Sequence, residues 1–382
     1  MGPLAGIRVV ELAGIGPAPF GCMLLADLGA EVIRVERAMP ANRRATVDDG
    51  GRSQSDASRY VPHRGRKSIE LDLKSDEGRE ALLRLIERAD VLVEGFRPGV
   101  AERLGAGPDV CLARNPRLVY ARMTGWGQTG PLAQTAGHDI NYIAIAGVLD
   151  NLRRAGERPL APLNLVGDMG GGGMLLAFGI ASALVHVGRT GEGQVIDAAM
   201  VDGAAIQLAT TLGMRAQGRW TGEPGENMSD SGAPYYEVYE CADGRFIAVG
   251  AIEGPFWADF LKLVDLQHDA LPPREDHAQW PKSKAVLAEV FRRRTRDEWA
   301  ELFDGSDACV SPVLSLDEAP SHPHAVARSA FVDVGGVVQP APAPRFSATP
   351  AGIPSAAPER GADTAEVLRD WGFSGQEIAA LT

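Results

Sequence analysis

Short β-branched runs alternate with helical stretches through the first half of the chain, and this alternation constrains the fold more than any other feature. A βαβ unit opens the sequence, with Gly29 ending the first helix and Ser75 capping the second. Such alternation predicts an α/β fold, a mostly parallel sheet with helices on both faces. The predicted strands are residues 7–12, 31–35, 68–73, 91–93, 118–123 and 194–200; the predicted helices between them include 20–28, 75–86 and 174–187.

A change of pattern in the second half predicts a smaller α+β domain. Asp243-Gly244 joins two apolar runs as a hairpin turn, and amphipathic helices follow it, the last opened by a capping box at Thr295 and Glu298. A length of 382 residues also favours two domains. We expect a Rossmann-like large domain at 1–215 completed by 325–382, a small domain at 225–315, crossing linkers at 216–224 and 316–324, and a polar surface excursion at 38–66.

Composition narrows the possible functions. With 38 Lys+Arg against 50 Asp+Glu, the net charge of −12 disfavours nucleic acid or an anionic membrane as the main partner. The four cysteines lack metal-ligand spacing, so no metal site is expected. The apolar run 174–187 is too short for a membrane span, and the N-terminus lacks a leader pattern. These features predict a cytoplasmic enzyme.

Two weak signals lie in the first third of the chain. Gly14-x-Gly16 suggests a dinucleotide site, but Pro19 stands where the third glycine belongs, so a tight turn is favoured. Basic residues also cluster there and predict a rim for a phosphorylated ligand, although a single arginine is usually a solvated surface charge. They are Arg34, Arg37, Arg64, Arg66, Lys67, Lys74, Arg97 and Arg103.

The segments 137–142 and 164–168 carry the strongest chemical signal. They supply an imidazole, His138, and a carboxylate, Asp168, each beside glycine and each expected to open a helix. The glycine run 170–173 suggests close backbone approach to a ligand. Two different acid/base groups facing one pocket can move a proton between the faces of a carbon. The alternatives are a structural histidine and an aspartate that only caps a helix.

The ordered motifs from about residue 3 to 350 resemble the α-methylacyl-CoA racemase branch of the family III CoA-transferase superfamily. Carriers include Glu-Gly-Phe-Arg-Pro-Gly at 94–99, Gly-His-Asp-Ile-Asn-Tyr at 137–142 and Asn-Leu-Val-Gly-Asp at 164–168. The resemblance implies that His138 and Asp168 are the acid/base pair and that Glu253 and Asn164 support them. Backbone N–H groups around Asp139, at the expected helix start, are our candidates to stabilise an oxyanion. In this chain Gly254 separates Glu253 from the proline that usually follows it directly.

The resemblance further implies an acyl-CoA substrate, with coenzyme A as part of the substrate and no separate cofactor, and an interlocked homodimer whose site is shared between subunits. The implied substrate-binding residues are Arg37, Leu71, Asp72, Leu73, Lys74, Gly95, Phe96, Arg97, Arg103, Gly137, Ile140, Asn141 and Tyr142.

The predicted function is racemisation of 2-methylacyl-CoA thioesters through an enolate. One alternative is CoA transfer between carboxylic acids with Asp168 as nucleophile, which does not require His138. Another is a non-catalytic acyl-CoA-binding protein with the same fold. Glu253 on its own, at a strand end beside glycine, is typical of a solvated surface carboxylate.

Overall fold

The computed structural model describes residues 2–38 and 59–382. Residues 39–58, the middle of the predicted polar excursion, lie outside the described residues. The described end of that excursion carries the short helix Val61–His63. Arg64 and Arg66 are only 2% and 3% exposed, so the expectation of a surface segment is wrong there.

Six parallel strands form the central sheet, as the βα alternation predicts. Their order is β3-β2-β1-β4-β5-β6, so the sheet grows outward on both sides from β1 and β4. Strands buried on both faces read as apolar runs, and Val9, Val10 and Leu92 are fully buried. The strands are β1 Arg8–Leu12, β2 Glu31–Arg37, β3 Arg66–Leu71, β4 Val91–Glu94, β5 Val119–Thr124 and β6 Gln194–Ala199.

Helices connect the strands of the sheet and make up much of the second half of the described chain. The α-helices are α1 Pro17–Asp27, α2 Asp76–Ile86, α3 Val100–Arg103, α4 Pro108–Arg114, α5 Asp139–Ile145, α6 Leu175–Thr190, α7 Met200–Ile206, α8 Ala209–Ala216, α9 Gly254–Leu263, α10 Trp280–Phe291, α11 Arg296–Phe303, α12 Pro323–Ala327, α13 Thr364–Asp370 and α14 Gly375–Leu381. Two wider, π-type helical segments span Leu165–Met174 and Met228–Gly232, and further short helices span Leu149–Asn151, His268–Ala270, His277–Gln279 and Ala319–Ser321.

Helices cover both faces of the sheet because alternate side chains of each strand point to opposite faces. Val10 and Leu92 pack in one core layer with α2 and α13, which is completed by the C-terminal part of the chain. Val9 and Val91 pack in the other layer with α1 and α6. The doubly covered sheet is therefore the predicted α/β fold.

The helix that the sequence predicts at 174–187 extends further in the structure. It runs to Thr190, and Gly191 ends it with a φ of 78°, rather than Gly188. Together with Leu165–Met174 it forms 26 continuous helical residues, long and apolar enough to cross a membrane by length and composition alone. Leu176 and Ile180 are fully buried in the core, as expected for a core helix.

A second, smaller sheet is antiparallel. The Asp243-Gly244 hairpin is confirmed, because Tyr239 pairs with Ile247 and Gly244 adopts a φ of 72°. Stacked aromatic side chains of α9–α11 fill the core beside this sheet. Its strands are β7 Glu237–Glu240, β8 Phe246–Val249 and β9 Val310–Pro312; a separate pair is β10 Phe331–Val334 and β11 Val337–Pro340.

The chain divides into two compact units. Unit 1 comprises Met1–Ala146, Leu163–Gln207 and His324–Thr382, and unit 2 comprises Gly147–Pro162 and Leu208–Pro323. These units differ from the predicted domain bounds at 147–162 and 208–215, both of which belong to unit 2. Residues 147–162 carry no period that ties them to a distant segment, and Arg154 makes an ion pair with Glu237 of unit 2 at 3.0 Å.

Candidate active site

The strand order creates a crevice at the carboxyl ends of β1 and β4. The connection after β1 leads to β2 on one side, and the connection after β4 leads to β5 on the other side. Ligands of open α/β sheets bind where neighbouring strands diverge in this way. Two cavities of unit 1 lie there, a first cavity of about 370 Å³ and a second cavity of about 430 Å³. Ile15, Gly95 and Phe96 line both. The cavities are therefore adjacent and share the loops that follow β1 and β4.

The first cavity brings the predicted acid/base pair together. His138 and Asp168 both line it, although they are separated by a helix and a loop in the sequence. Arg97, Gly137 and Tyr142 of the predicted set also line it. Its remaining wall is mostly apolar, with contributions from Pro17, Ala18, Met123, Trp126, Ala133, Ala136 and Met200.

His138 occupies the N-cap position of α5 and is exposed, as predicted for a residue that opens a helix. Its backbone N–H donates to Asn141 Oδ1 at 3.0 Å, and the N–H of Asn141 donates to the His138 carbonyl at 2.8 Å. The first N–H groups of α5 have no partner within the helix. Asn141 therefore supports the turn that presents His138, and it is absent from the described lining of both cavities.

Tyr142 fixes the backbone in front of His138. Its hydroxyl donates to the Gly137 carbonyl, and its ring packs edge-on against Trp126 at 4.8 Å between centroids. A Cβ at position 137 would come within 2.7 Å of the Tyr142 ring, so only glycine fits there. Burial raises the pKa of Tyr142 to about 12, which keeps its hydroxyl a donor at neutral pH.

Asp168 lies inside the segment Leu165–Met174 and does not open it. Asn164 holds the N-cap position instead, so the alternative in which Asp168 only caps a helix is wrong. The Asn164 side-chain amide donates to Asp168 Oδ2 at 3.3 Å, which agrees with its predicted supporting role. Asp139 Oδ2 accepts the backbone N–H groups of Gly167 and Asp168 at 2.6 and 2.7 Å.

Three glycines of the run 170–173, Gly171, Gly172 and Gly173, serve helix packing instead of ligand approach. A Cβ at Gly171 would come within 2.7 Å of the Ala204 nitrogen in α7, and one at Gly173 within 2.6 Å of Phe20 in α1. The expectation that these glycines face a ligand is therefore wrong. Gly16 is the glycine beside the carboxylate, since a Cβ there would lie 3.5 Å from Asp168 Oδ2.

Burial is the main influence on the Asp168 carboxyl group. It raises the pKa of Asp168, and the neighbouring negative charge of Asp139 raises it further. The hydrogen bond from Asn164 and the proximity of His138 act in the opposite direction. A carboxyl group with a raised pKa is better matched to proton transfer near neutral pH than an ordinary aspartate.

The second cavity collects the predicted coenzyme A contacts. Arg37, at the end of β2, is exposed and has no side-chain partner among the described residues. Lys74 is also exposed. Arg103 lies outside the described lining, in α3 next to the lining residue Leu104. The predicted residues that line this cavity are Arg37, Leu71, Asp72, Leu73, Lys74, Gly95 and Phe96.

Half of the predicted basic rim proves to have a structural role. Arg34 and Arg66 both bind the fully buried carboxylate of Glu11, at 2.9 and 2.7 Å. Arg64 pairs with Asp27, and Lys67 pairs with Glu366 on the surface. These four side chains are therefore not available as ligand contacts. Among the described residues, the cations around the two cavities that lack an ion-pair partner are Arg37, Lys74, Arg97 and Arg103.

A model of "CoA-transferase family III" matches residues 4–364, nearly the whole chain. The chain belongs to CoA-transferase family III.

Curated family III relatives include both racemases and transferases. The chain is 46% identical over 381 residues to alpha-methylacyl-CoA racemase of Mus musculus and to that of Homo sapiens, which covers 99% of the chain and 96% of each relative. It is 33% identical to acetyl-CoA:oxalate CoA-transferase of Acetobacter aceti, over 89% of the chain and 88% of the relative. A solved CAIB/BAIF family protein from Brucella suis matches with a TM-score of 0.81 and 28% identity, over 97% and 99% of the two chains.

Beyond Arg103, Asn141 and Asn164, three further predicted site residues line neither cavity in the described part of the chain. Glu253 belongs to unit 2, where it is exposed and precedes α9 as its N-cap, so its support of His138 stays a prediction. Ile140 is 44% exposed on α5 and lines neither cavity in the described residues. Asp139 is only 5% exposed, and its side chain acts on the backbone of Asp168.

Several site residues were not singled out from the sequence. Trp126 and Met123 line the first cavity from the end of β5 and the loop after it. Buried Glu11 reaches the loop after β1 through Arg34, whose Nη2 donates to the Gly14 carbonyl at 3.2 Å. A charged residue in the middle of an apolar strand was the available signal for Glu11, because a buried charge requires a partner.

Proposed function

We propose that this protein racemises 2-methylacyl-CoA thioesters by a 1,1-proton transfer. The observation that carries the proposal is the placement of His138 and Asp168 on one cavity that adjoins a second cavity bordered by free cations. The second cavity suits the phosphate-bearing part of coenzyme A, and the apolar wall of the first suits an acyl chain. The 46% identity to alpha-methylacyl-CoA racemases also supports it.

Proton transfer from one face of the α-carbon to the other requires one residue in its basic form and a second residue that carries a proton. His138 in its neutral form takes the α-hydrogen from one face, and protonated Asp168 returns a proton to the other face of the planar enolate. The opposite enantiomer reacts with the two roles exchanged. The raised pKa of Asp168 favours its proton-carrying form compared with an ordinary aspartate.

The base strengths alone do not account for turnover. The α-hydrogen of a thioester is weaker as an acid than His or Asp by roughly 10 pK units, at about 1.36 kcal/mol each. The enolate oxygen therefore needs preorganised donors, and we assign this role to the free N–H groups at the start of α5, around Asp139. The thioester itself supplies the activation, so the reaction requires neither a metal nor a redox cofactor.

Deuterium exchange tests the proposal. In deuterated buffer the enzyme is expected to place deuterium at the α-carbon starting from either enantiomer of a 2-methylacyl-CoA. His138→Ala and Asp168→Ala should each reduce this exchange strongly. Full retention of the α-hydrogen under conditions in which the wild type binds the ester would contradict racemisation.

CoA transfer between carboxylic acids is the competing activity, and the 33% identity to acetyl-CoA:oxalate CoA-transferase favours it. Asp168 would attack the thioester carbonyl, release CoA thiolate and form a mixed anhydride. The thiolate then attacks the aspartyl carbonyl, which releases the donor carboxylate and leaves an aspartyl-CoA thioester for the acceptor carboxylate to attack. Hydroxylamine would trap such an intermediate at Asp168 in the presence of an acceptor acid. This chemistry gives His138 no role, so His138→Ala should leave it intact.

A third candidate is an acyl-CoA-binding protein without chemistry. His138→Ala separates it from the racemase, because a binding protein has no activity to lose. The racemase variant should keep ester affinity within about threefold and lose exchange by about a hundredfold or more, in line with the usual contribution of an acid/base group.

We further propose a cytoplasmic homodimer in which each site is completed by the partner chain. Large apolar side chains are exposed on the helical stretch that carries Asp168, among them Leu165, Met174 and Phe178 at 57%, 53% and 69%. Several large apolar side chains exposed along one helical stretch are more than the single exposed residues that are normal on a monomer, and they favour an interface. The resemblance implies that Glu253 of a partner approaches His138.

Complementation tests the shared site. Co-expression of inactive His138→Ala and Glu253→Ala chains should restore part of the activity, because in a mixed dimer one site carries both changes and the other neither. An active monomer in sedimentation at assay concentration would contradict the shared site and return Glu253 to a surface role.

A further inference from the structure

A buried carboxylate lies directly behind the wall that the two cavities share. Glu94 ends β4 and is fully buried. Its Oε2 accepts the backbone N–H of Phe96 at 2.7 Å, and its Oε1 accepts Arg122 Nε at 2.9 Å. Burial raises the pKa of Glu94, and these two donors act against that effect. Each donor therefore compensates part of the cost of burying the carboxylate.

Arg122 extends this contact to a helix outside the sheet. It lies on β5, its side chain is 9% exposed, and its Nη2 binds Glu102 Oε1 at 2.9 Å. Glu102 belongs to α3 and is 44% exposed. One arginine thus joins two adjacent strands to the short helix that follows the shared loop.

Glu94, Arg122 and Glu102 together fix the segment 95–104 at both of its ends. Glu94 binds the backbone of Phe96 near the start, and Arg122 binds Glu102 near the end. Phe96, near one end, lines both cavities, and Leu104, just after α3, lines the second. Between them lie Arg97, which lines the first cavity, and Arg103, next to Glu102. A helix of four residues has little stability of its own, so its position depends on tertiary contacts such as the Glu102 ion pair.

We propose that Glu94, Arg122 and Glu102 are positioning residues that set the wall between the two cavities, so that the CoA part and the α-carbon of one acyl-CoA are held in register. The identity of the ligand rests on the proposed function. None of the three residues lines either cavity in the described part of the chain, so each acts through the residues it holds.

Glu102→Gln tests the outer end of this arrangement. The amide keeps the shape and removes the charge, so α3 is held less firmly while the buried pair stays intact. We expect the Kd for free CoA, measured by calorimetry, and the KM for a 2-methylacyl-CoA to rise about threefold to tenfold, with kcat within about twofold of wild type.

Glu87→Gln is the matched control. Glu87 is 40% exposed and pairs with Arg114 at 2.6 Å, and Arg114 also binds a second carboxylate, Glu80. Glu87 lies on the surface just after α2 and lines neither cavity in the described residues. The variant Glu87→Gln should therefore change neither the Kd for free CoA nor the KM for a 2-methylacyl-CoA. An equal effect in Glu87→Gln and Glu102→Gln, or no effect in Glu102→Gln, would overturn the proposal.

Glu94→Gln tests the inner end. The amide offers one acceptor where two donors are bound, so the Phe96 loop loses its fixed position and kcat for α-deuterium exchange should fall about tenfold or more. Circular dichroism must show a folded protein; if Glu94→Gln does not fold, Glu102→Gln alone decides. A wild type that binds CoA but exchanges no α-hydrogen contradicts the proposed function, whereas the CoA affinities still test the positioning role.

Discussion

Asp139 Oδ2 accepts the backbone N–H of Asp168 at 2.7 Å, although the two residues belong to different helical segments. The same oxygen accepts the N–H of Gly167. Because Asp139 also follows His138 directly, one side chain connects the turn that presents the imidazole to the segment that presents the carboxylate. His138 and Asp168, the proposed acid/base pair, are therefore connected by a residue that follows the first and binds the second.

Removing the charge of Asp139 should change the pH dependence of activity. In Asp139→Asn the amide oxygen can still accept a backbone N–H, but the negative charge that raises the pKa of Asp168 is gone. His138, Asn164 and Tyr142 also face Asp168, and Arg97 faces Tyr142; none of them changes in the variant. The part of the pH dependence of kcat/KM that follows the ionisation of Asp168 should therefore shift to lower pH.

Asp197→Asn is the control for this prediction. Asp197 is an exposed aspartate that likewise accepts a backbone N–H, from Gln128 at 3.0 Å, and it lines neither cavity in the described residues. Its pH profile should match wild type. An unchanged profile in Asp139→Asn would show that Asp139 acts on backbone geometry alone.

Asp168→Asn should stabilise the protein at neutral pH. The pKa of Asp168 is raised in the folded state above its ordinary value of 3.8, so the folded protein binds this proton more tightly than the unfolded chain. Ionisation of Asp168 therefore lowers stability as the pH rises through the folded pKa. The neutral variant should melt about 1–2 °C higher at pH 7.

The advantage of Asp168→Asn should narrow as the pH falls below the raised folded pKa, and it should vanish well below 3.8, where wild-type Asp168 is neutral in both the folded and the unfolded state. Calorimetric melting temperatures at several pH values measure this trend. A gain that grows at acidic pH would contradict a raised pKa.

Gly203→Ala should destabilise unit 1 and reduce activity. A Cβ there would lie 1.8 Å from the Gly171 carbonyl oxygen, so α7 and the segment Leu165–Met174 must separate. Overpacking of this kind costs about 1–3 kcal/mol, and Asp168 moves with the segment. Gly213→Ala is the control, because a Cβ in α8 meets nothing within 4 Å and alanine favours a helix. Urea unfolding and exchange rates should therefore separate the two variants.

Arg37→Ala should weaken CoA binding about tenfold, the equivalent of about 1.4 kcal/mol. Arg37 lines the second cavity without a side-chain partner among the described residues. Lys67→Ala removes a cation on the neighbouring strand β3 that is already paired with Glu366, and it should leave affinity unchanged. Titrations at low and high salt should show a weaker salt dependence for Arg37→Ala than for wild type. Equal affinities in the two variants would remove Arg37 from the CoA site.

The sequence by itself determined the doubly covered parallel sheet and the smaller antiparallel domain. Period-2 and period-3.6 apolar patterns, the Ser75 cap, and the turn at Asp243-Gly244 are local signals, and each element formed within a few residues of its predicted bounds. The pairing of His138 with Asp168 was also predictable, because both lie in short motifs rich in glycine. Ordered motifs along the chain were sufficient to place it in its family.

Only the tertiary structure decided which charged and small residues have structural roles. Arg34, Arg66 and Arg97 look alike in the sequence, yet the first two bind buried Glu11 and the third lines a cavity. Gly171, Gly172 and Gly173 likewise serve helix packing, since the atoms that a Cβ would meet there include atoms of α1 or α7. The energy of a buried charge or a close helix contact depends on a partner that is distant in the sequence, and the local pattern carries no record of that partner.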